Sequence, residues 1–340
     1  MKHIKWPSTN QFREVIRHVR SKAEFKGLDS DGNPIMDRNA VLPKIMFEGT
    51  VKLHGTNAGV TLDFSTGEMY AQSRENIITP QKDNAGFAMW FEGQREYFSQ
   101  LFASLNNVII KPETITVFGE WAGQGVQKGV AISQLPKKFY VFGISYTVLG
   151  NRYFAKTSKV KNMVNETDDI KCIHSYDSFL LEIDFENPQE AQNTLVNLTN
   201  NVEAECPVGK AHGVSGVGEG IVWKPVDPDL ANDPGYWFKV KGPKHSVSKV
   251  KTTAPIDIEK FNNIQKLAEA LVTTNRLEQM KQQVFGIDGD VDMTKTGEFI
   301  KAVMTDVWKE EKDTIIESGF TMKELNGPAA KIARGYLMGG

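Results

Sequence analysis

The sequence predicts an α+β protein: a domain of antiparallel sheets flanked by helices, followed by a smaller, all-helical C-terminal domain. Three observations carry this reading. At 340 residues the chain exceeds one average domain, so two domains and a sizeable core are expected. From residue 44 to 245 the pattern is dominated by short apolar or alternating runs punctuated by glycine, as strands and tight turns require. Beyond Ala254-Pro255 the texture changes to long amphipathic stretches, with Ile258, Phe261, Ile264, Leu267 and Leu271 three or four apart. The domains are therefore set at residues 1–246 and 247–340, with the boundary near 246 to 256.

Taken in order, residues 8 to 20 read as a capped amphipathic helix with Phe12, Val15, Ile16 and Val19 on one face. Lys44-Ile-Met-Phe47 and Gly59-Val-Thr-Leu-Asp63 read as strands on either side of a glycine turn. Helices are expected near 83 to 105 and 186 to 202. In the tail, helices are expected over about 275 to 285, 294 to 317 and 321 to 336, the last opening at the cap-like Thr321. No internal repeat or low-complexity segment interrupts this order.

Composition excludes several classes. Forty Lys+Arg against 42 Asp+Glu leave a formal charge of −2, so a nucleic-acid footprint must be a local patch rather than a global field. One candidate is the run from Lys239 to Lys251, which holds five lysines and no acid; it fits either a phosphate-binding patch or a solvated basic linker. Cys172 and Cys206 are too far apart for a CxxC metal site and too few for a disulfide framework. No apolar run approaches the ~20 residues of a membrane helix, and the first residues lack the apolar core of a signal peptide, so a soluble, cytoplasmic protein is expected. Asn165-Glu-Thr and Asn197-Leu-Thr match the glycosylation pattern, which carries no meaning without secretion. Glycines 213, 216, 218 and 220 superficially resemble a dinucleotide fingerprint, but a short β-rich run ended by Pro225 follows where a helix is needed. A P-loop sequence is absent.

The most informative stretch is Glu48-Gly-Thr-Val-Lys52-Leu-His-Gly-Thr-Asn57, which sets one lysine between a β-type run and a glycine turn. Such a lysine can aim its amine at a phosphate, and it becomes a nucleophile once neighbouring cations, desolvation or a metal-bound substrate strip its proton. On its own the hexapeptide Lys52-Leu-His-Gly-Thr-Asn57 fits an exposed strand-end lysine before a β-turn better than a nucleophile. Further segments follow in order: Ser73-Arg74, Val117-Phe-Gly-Glu120-Trp-Ala-Gly-Gln-Gly-Val-Gln-Lys128, Phe139-Tyr-Val-Phe142-Gly-Ile144, Gly218-Glu219-Gly-Ile-Val-Trp-Lys224-Pro225 and Trp237-Phe-Lys239-Val-Lys241. Together, over roughly residues 44 to 245, they resemble the RNA ligase 2 family, whose best-known member comes from phage T4 and whose relatives include the trypanosome RNA-editing ligases. Little of the resemblance reaches the first 40 positions or the last 90.

The resemblance implies a covalent nucleotidyltransferase (ATP-grasp-like ligase) domain that uses ATP and Mg2+ or Mn2+. By it, Lys52 attacks the α-phosphate and carries AMP, which passes to a 5′-phosphate and is then displaced by a 3′-hydroxyl. Lys239 and Lys241 alternate along an apparent strand, so both can emerge on one face as an α-phosphate clamp, and their charge is expected to lower the Lys52 pKa. Lys224 matches a family lysine that contacts a phosphate or an end. Glu120 falls on the ribose hydroxyl; Glu219, with Glu120 as a second carboxylate, is the expected metal ligand. Arg74 resembles a ribose-contacting arginine that also helps sealing, and Phe142 the aromatic stacked on adenine. His54 and Asn57, in the turn after the nucleophile, are expected to orient the nucleic-acid end, and Val51 to offer adenine only its backbone carbonyl. One departure stands out: Gly143 follows Phe142 where the phage T4-type enzyme has aspartate.

The leading expectation is thus an ATP-dependent RNA ligase in nick sealing or repair, acting on RNA ends or a nicked duplex, monomeric, in a phage-infected host cell. DNA or RNA–DNA hybrid ends stay open, because the motifs report AMP chemistry rather than the sugar joined. A capping guanylyltransferase shares the nucleophile but belongs with an oligonucleotide-binding barrel, against which the helical tail argues. A non-catalytic RNA-end-binding protein would need only the basic patch and aromatics. The tail, 256 to 340, is expected to grip the duplex or strand ends, as in the family.

Overall fold

Phe12, Val15 and Val19 recur at helical spacing and are buried on one face of the first helix, α1 (Phe12–Glu24). It starts four residues later than the sequence suggests. The cap-like Ser8-Thr9-Asn10 is extended instead: Asn10 lies parallel to Phe238, with its N–H on the Trp237 carbonyl at 2.9 Å. The Glu14 carboxylate then accepts the Gln11 N–H at 2.6 Å and satisfies an otherwise orphaned donor.

The computed structural model describes residues 1–246, 248, 263–286 and 290–339, in two compact units, Met1–Val240 and Lys241–Gly340. The first unit continues with a hairpin that the sequence reading did not foresee, β1 (Phe25–Leu28) and β2 (Pro34–Met36), turned around Asp29. Then come β3 (Lys44–Lys52), β4 (Thr56–Asp63), β5 (Glu68–Ser73), β6 (Ile77–Ile78), α2 (Phe87–Gly93) and α3 (Arg95–Val108). The helix expected over 83 to 105 is therefore two helices, broken at Gln94. Next are β7 (Thr114–Ala122), β8 (Lys138–Val148), β9 (Asn151–Phe154), α4 (Thr157–Met163), β10 (Ile170–Cys172) and β11 (Ser178–Asp184). Toward its end come α5 (Glu190–Ala204), α6 (Pro207–Ala211), β12 (Gly220–Pro225) and α7 (Pro228–Ala231), and β13 (Phe238–Lys241) runs out of the unit by its last residue.

Two sheets carry the site. One has seven strands in the order β10-β8-β7-β4-β5-β6 with β9 on β8; the other has four, β11-β3-β12-β13. The pairings of β11 and β12 with β3, and those of β4 to β9 in the larger sheet, are antiparallel, as the sequence predicts; β10 joins β8 as a parallel pair. Strand alternation separates the chemistry from the cores. In β3, Ile45, Phe47 and Val51 join a core with Phe12, Val15 and Val19 of α1 and Leu195 and Val202 of α5. In the larger sheet, Ala58, Val60, Ile115, Val117 and Phe139 pack with Phe87, Phe91, Phe98 and Phe102 of α2 and α3. Glu48, Thr50 and Lys52 of β3, and Asn57 and Glu120 of the larger sheet, fall on the opposite faces.

The N-terminal segment is tied to the larger sheet. The Tyr70 hydroxyl donates to the Lys2 carbonyl at 2.7 Å, the Ile4 N–H to Gln72 Oε1 at 3.2 Å, and Arg152 Nη1 to the Lys5 carbonyl at 2.6 Å. Trp6, 5% exposed, then packs with Phe118 and Trp237 in a small cluster of its own.

In the second unit the described helices are α8 (Ile264–Leu271), α9 (Thr274–Phe285), α10 (Thr296–Glu317) and α11 (Met322–Leu337). They share a core of Leu267, Leu271, Leu277, Phe299, Val303, Ile315 and Leu325. Buried Arg276 pairs with Asp306 at 2.8 Å. Thr321 caps α11 reciprocally with Glu324, as the sequence reading anticipates. Ile258 and Phe261, and Lys249 and Lys251 of the basic run, lie outside the described residues, as does most of the expected boundary segment.

Candidate active site

Lys52 is the last residue of β3 and stands opposite Gly220, the first of β12. With no side chain opposite, the lysine stem has room, and Lys52 keeps 21% of its side chain exposed. Its Nζ donates to Glu219 Oε2 at 2.6 Å. Glu219, at the entry to β12, is only 2% exposed, so its charge is held largely away from water, and the ammonium helps to compensate it. His54 Nδ1 lies 3.7 Å from the same oxygen.

Residues 53–55 turn the chain into β4, and only glycine fits the last of them. A Cβ on Gly55 would stand 2.4 Å from the Trp121 carbonyl oxygen. That close approach lets the Gly55 N–H donate to Glu120 Oε1 at 2.9 Å. Burial pushes the Glu120 carboxyl up to about 7; the nearby Lys52 charge opposes the shift, Glu219 adds to it, and the Gly55 hydrogen bond and Arg74 oppose it. Lys52, His54, Glu120 and Glu219 are thus gathered at one place from residues spread over 168 positions of sequence.

Asn57 sits not in the turn, as the sequence suggests, but in β4, directly across from Glu120. Arg74 follows β5, and its guanidinium donates through Nη2 to Ser8 Oγ at 3.0 Å. Val51 is 2% exposed in the core, on the face opposite Lys52. In β13, Phe238 and Val240 are buried and Lys239 and Lys241 alternate with them, as the Lys-x-Lys spacing predicts.

Phe142 occupies a bulge. Phe118 pairs with Gly143 and Gly119 with Val141, so Phe142 is the extra residue on β8, and the break in register re-aims its side chain. The ring packs edge-on to Trp6 at 5.2 Å, and the Phe142 carbonyl lies 3.3 Å from His174 Nε2. Burial, then the field of Lys224, drive the His174 pKa down to about 4.

Lys224 lies farther along the face that carries Lys52. It pairs with Glu48 in the β3–β12 register, and its Nζ is 4.6 Å from the Trp237 ring centre and 4.8 Å from that of Trp6. Burial lowers its pKa to about 8, against the raising field of Glu48. Burial likewise raises Glu48, against the lowering field of Lys224. Sequence reasoning missed Trp6, Glu48, His174 and the packing role of Gly55. Glu48 and Gly55 lay within the stretch around Lys52, without a role assigned to either; Trp6 is an isolated aromatic in a segment without periodicity.

The sequence model of the RNA ligase family matches residues 46–241, more than half of the chain. The chain belongs to the RNA ligase family. All the gathered site residues lie inside the matched span. Among solved structures, the Naegleria gruberi RNA ligase with PPi is similar at 16% identity and TM-score 0.44, over 70% of this chain and 56% of that one. A mutant of that ligase with AMP and Mn gives the same figures. A further mutant with ATP and Mn has TM-score 0.45 at 16% identity, covering 71% and 56%. This RNA ligase family member therefore spans 56% of the length of those chains. Among its described residues, no helix is long and apolar enough to cross a membrane.

Proposed function

We propose that this family member is an ATP-dependent RNA ligase of the RNA ligase 2 type, joining 3′-hydroxyl and 5′-phosphate ends through a lysyl adenylate on Lys52. The observation that supports it most is the partly exposed Lys52 amine at a strand end, between the Glu219 and Glu120 carboxylates. The Lys52 ammonium donates to Glu219 Oε2 at 2.6 Å, and Nζ must pass a proton to that carboxylate and turn away from it before its lone pair can attack. The Nζ–Pα bond then forms as the bond from Pα to the bridging oxygen breaks and pyrophosphate leaves. A 5′-phosphate oxygen takes the AMP from nitrogen, and a 3′-hydroxyl finally displaces AMP from the activated end.

The remaining residues fit supporting roles. Phe142 is the adenine-stacking ring, and Val51 offers its backbone carbonyl to the base. Glu120 accepts from a ribose hydroxyl beside Arg74, and Asn57 and His54 orient the end. Lys224, Lys239 and Lys241 provide cations for the phosphates, with positive charge on one sheet face stabilising a transition state whose charge is spread over oxygens.

Mg2+ or Mn2+ suits this site. No group of three or more His, Cys, Asp or Glu side chains able to hold a metal occurs among the described residues. Two carboxylates close enough for the Glu219 charge to raise the Glu120 pKa nevertheless suit a hard cation that keeps its waters and takes most other ligands from phosphates. Glu219 and Glu120 would hold it, and when bound it would neutralise phosphate charge. The second unit is proposed to grip the duplex or strand ends.

Incubation with labelled ATP and magnesium tests the reading. Wild-type protein is expected to take up covalent AMP and Lys52→Ala none; unlabelled wild type, or undiminished label on Lys52→Ala, overturns it. A sealing assay on matched RNA, DNA and hybrid nicks then fixes the sugar, with RNA expected. An RNA-end-binding protein without activity would bind nicks but acquire no AMP.

A further inference from the structure

Gly143 and Trp6 occupy one space. A Cβ on Gly143 would stand 2.3 Å from the Trp6 indole and within 3.0 Å of three of its carbons, so the indole fills the volume a side chain at 143 would need. Trp6 is stacked on Trp237 with ring centres 5.2 Å apart at 29°, meets Phe118 at 4.9 Å, and takes Phe142 edge-on. The segment around it is fastened on both sides: Ile4 and Lys5 to the larger sheet, Asn10 to β13 of the smaller. The indole is therefore held on a segment tied to both sheets, and the Lys224 ammonium rests against it and against Trp237 at 4.8 and 4.6 Å.

A lysine side chain has four rotatable bonds to lose when its head is fixed, and among its charged neighbours Glu48 favours the ammonium. Two indole faces attract an ammonium through their quadrupoles and confine it without forming a directional hydrogen bond. The cation thus keeps its donors available for a phosphate. Its lowered pKa, about 8, is consistent with a desolvated cage.

We propose that Trp6 is a positioning residue of the ligase site: seated in the space left by Gly143, it holds the Lys224 ammonium in place on the face that carries Lys52. The proposal rests on Lys52 adenylylation as the reaction, and it assigns to the N-terminal segment a part in that chemistry which no motif carries.

A double-mutant cycle on the single-turnover rate of lysyl-adenylate formation at saturating ATP tests it, with melting temperature measured alongside. Trp6→Leu keeps apolar volume and removes the π face; Trp6→Phe keeps a smaller one. Trp6→Leu is expected to lower the maximal rate about tenfold, the scale of a desolvated cation–π contact, and Trp6→Phe to recover most of that loss. Lys224→Met is expected to lose at least as much, and Trp6→Leu with Lys224→Met no more than Lys224→Met alone. Should Trp6→Leu melt below the assay temperature, the cycle is closed with Trp6→Phe, where the same non-additivity is expected at smaller amplitude. Losses that multiply, or a maximal rate unchanged by Trp6→Leu or by Lys224→Met, overturn the proposal. Wild-type protein that takes no AMP overturns the functional reading and this inference with it; wild-type protein that charges while the losses multiply overturns this inference alone.

Discussion

Lys52 and Lys224 stand on one face of the same four-stranded sheet, on adjacent strands, yet their charges are managed in opposite ways. Lys52 is in direct contact with a buried carboxylate, 2.6 Å from Glu219, and retains solvent access. Lys224 lies against two indoles, with Glu48 as a neighbour that itself suffers from burial. An ion pair stabilises an ammonium strongly but must be broken before the nitrogen reacts. A π cage attracts it weakly and leaves its hydrogens for a ligand. Under the proposed function the difference separates two duties: a lysine that must change its bonding, and one that must stay a cation.

That contrast can be broken most severely at Lys52. Lys52→Arg, which keeps the charge and the Glu219 pairing but removes a usable nucleophile, is expected to drop adenylate formation to background while ATP binding persists; residual charging with AMP would show that charge, not the amine, matters. Glu219→Gln leaves an amide beside the amine and is expected to cost on the order of a hundredfold in adenylylation rate, read in single turnovers. A value near wild type would mean that the ion pair is incidental.

At the other end of the face, pH sharpens the comparison. Lys224 is a cation only below about 8, so the adenylylation rate is expected to fall as pH rises through that value, and Lys224→Met to lack this falling limb. A profile identical in both proteins would deny Lys224 its role.

Glu120 offers a test on stability rather than rate. Its folded pKa, about 7, is above the ordinary 4.5, so between those values the folded state binds more protons than the unfolded one. Its contribution is therefore fully present below pH 4.5 and is lost as pH rises through about 7. Glu120→Gln should make the midpoint of urea unfolding less dependent on pH across that window, whereas an unchanged slope would contradict the burial argument. The smallest effect lies outside the site: Thr321→Ala removes the cap of α11 and should cost ~1 kcal/mol of helix stability with adenylylation untouched.

Local patterns made much of this legible. Apolar alternation exposed β3, and with it Lys52 at a strand end; the Lys-x-Lys spacing gave a face of β13; Thr321 with Glu324 announced α11. What stayed hidden depends on contacts between distant segments. Ser8-Thr9-Asn10 has the composition of a helix cap, but pairing beside β13 won over local preference and moved the start of α1. The β1–β2 hairpin is short, exposed and without clean alternation. The bulge at Phe142 leaves no mark in an apolar run, and the space that Trp6 fills is left by Gly143, 137 residues away. The Gly143 departure from the family aspartate, noticeable in the sequence, had no reason there and acquires a steric one in the fold.

The central claim is that the Lys52 nitrogen carries adenylate, and locating the adduct tests it most directly. After incubation with ATP and magnesium, acid-free proteolysis and peptide mass spectrometry should find one AMP on the peptide containing Lys52, with fragment ions placing it on that side chain. An adduct on Lys224, Lys239 or Lys241 instead, or none on any peptide, would contradict the account.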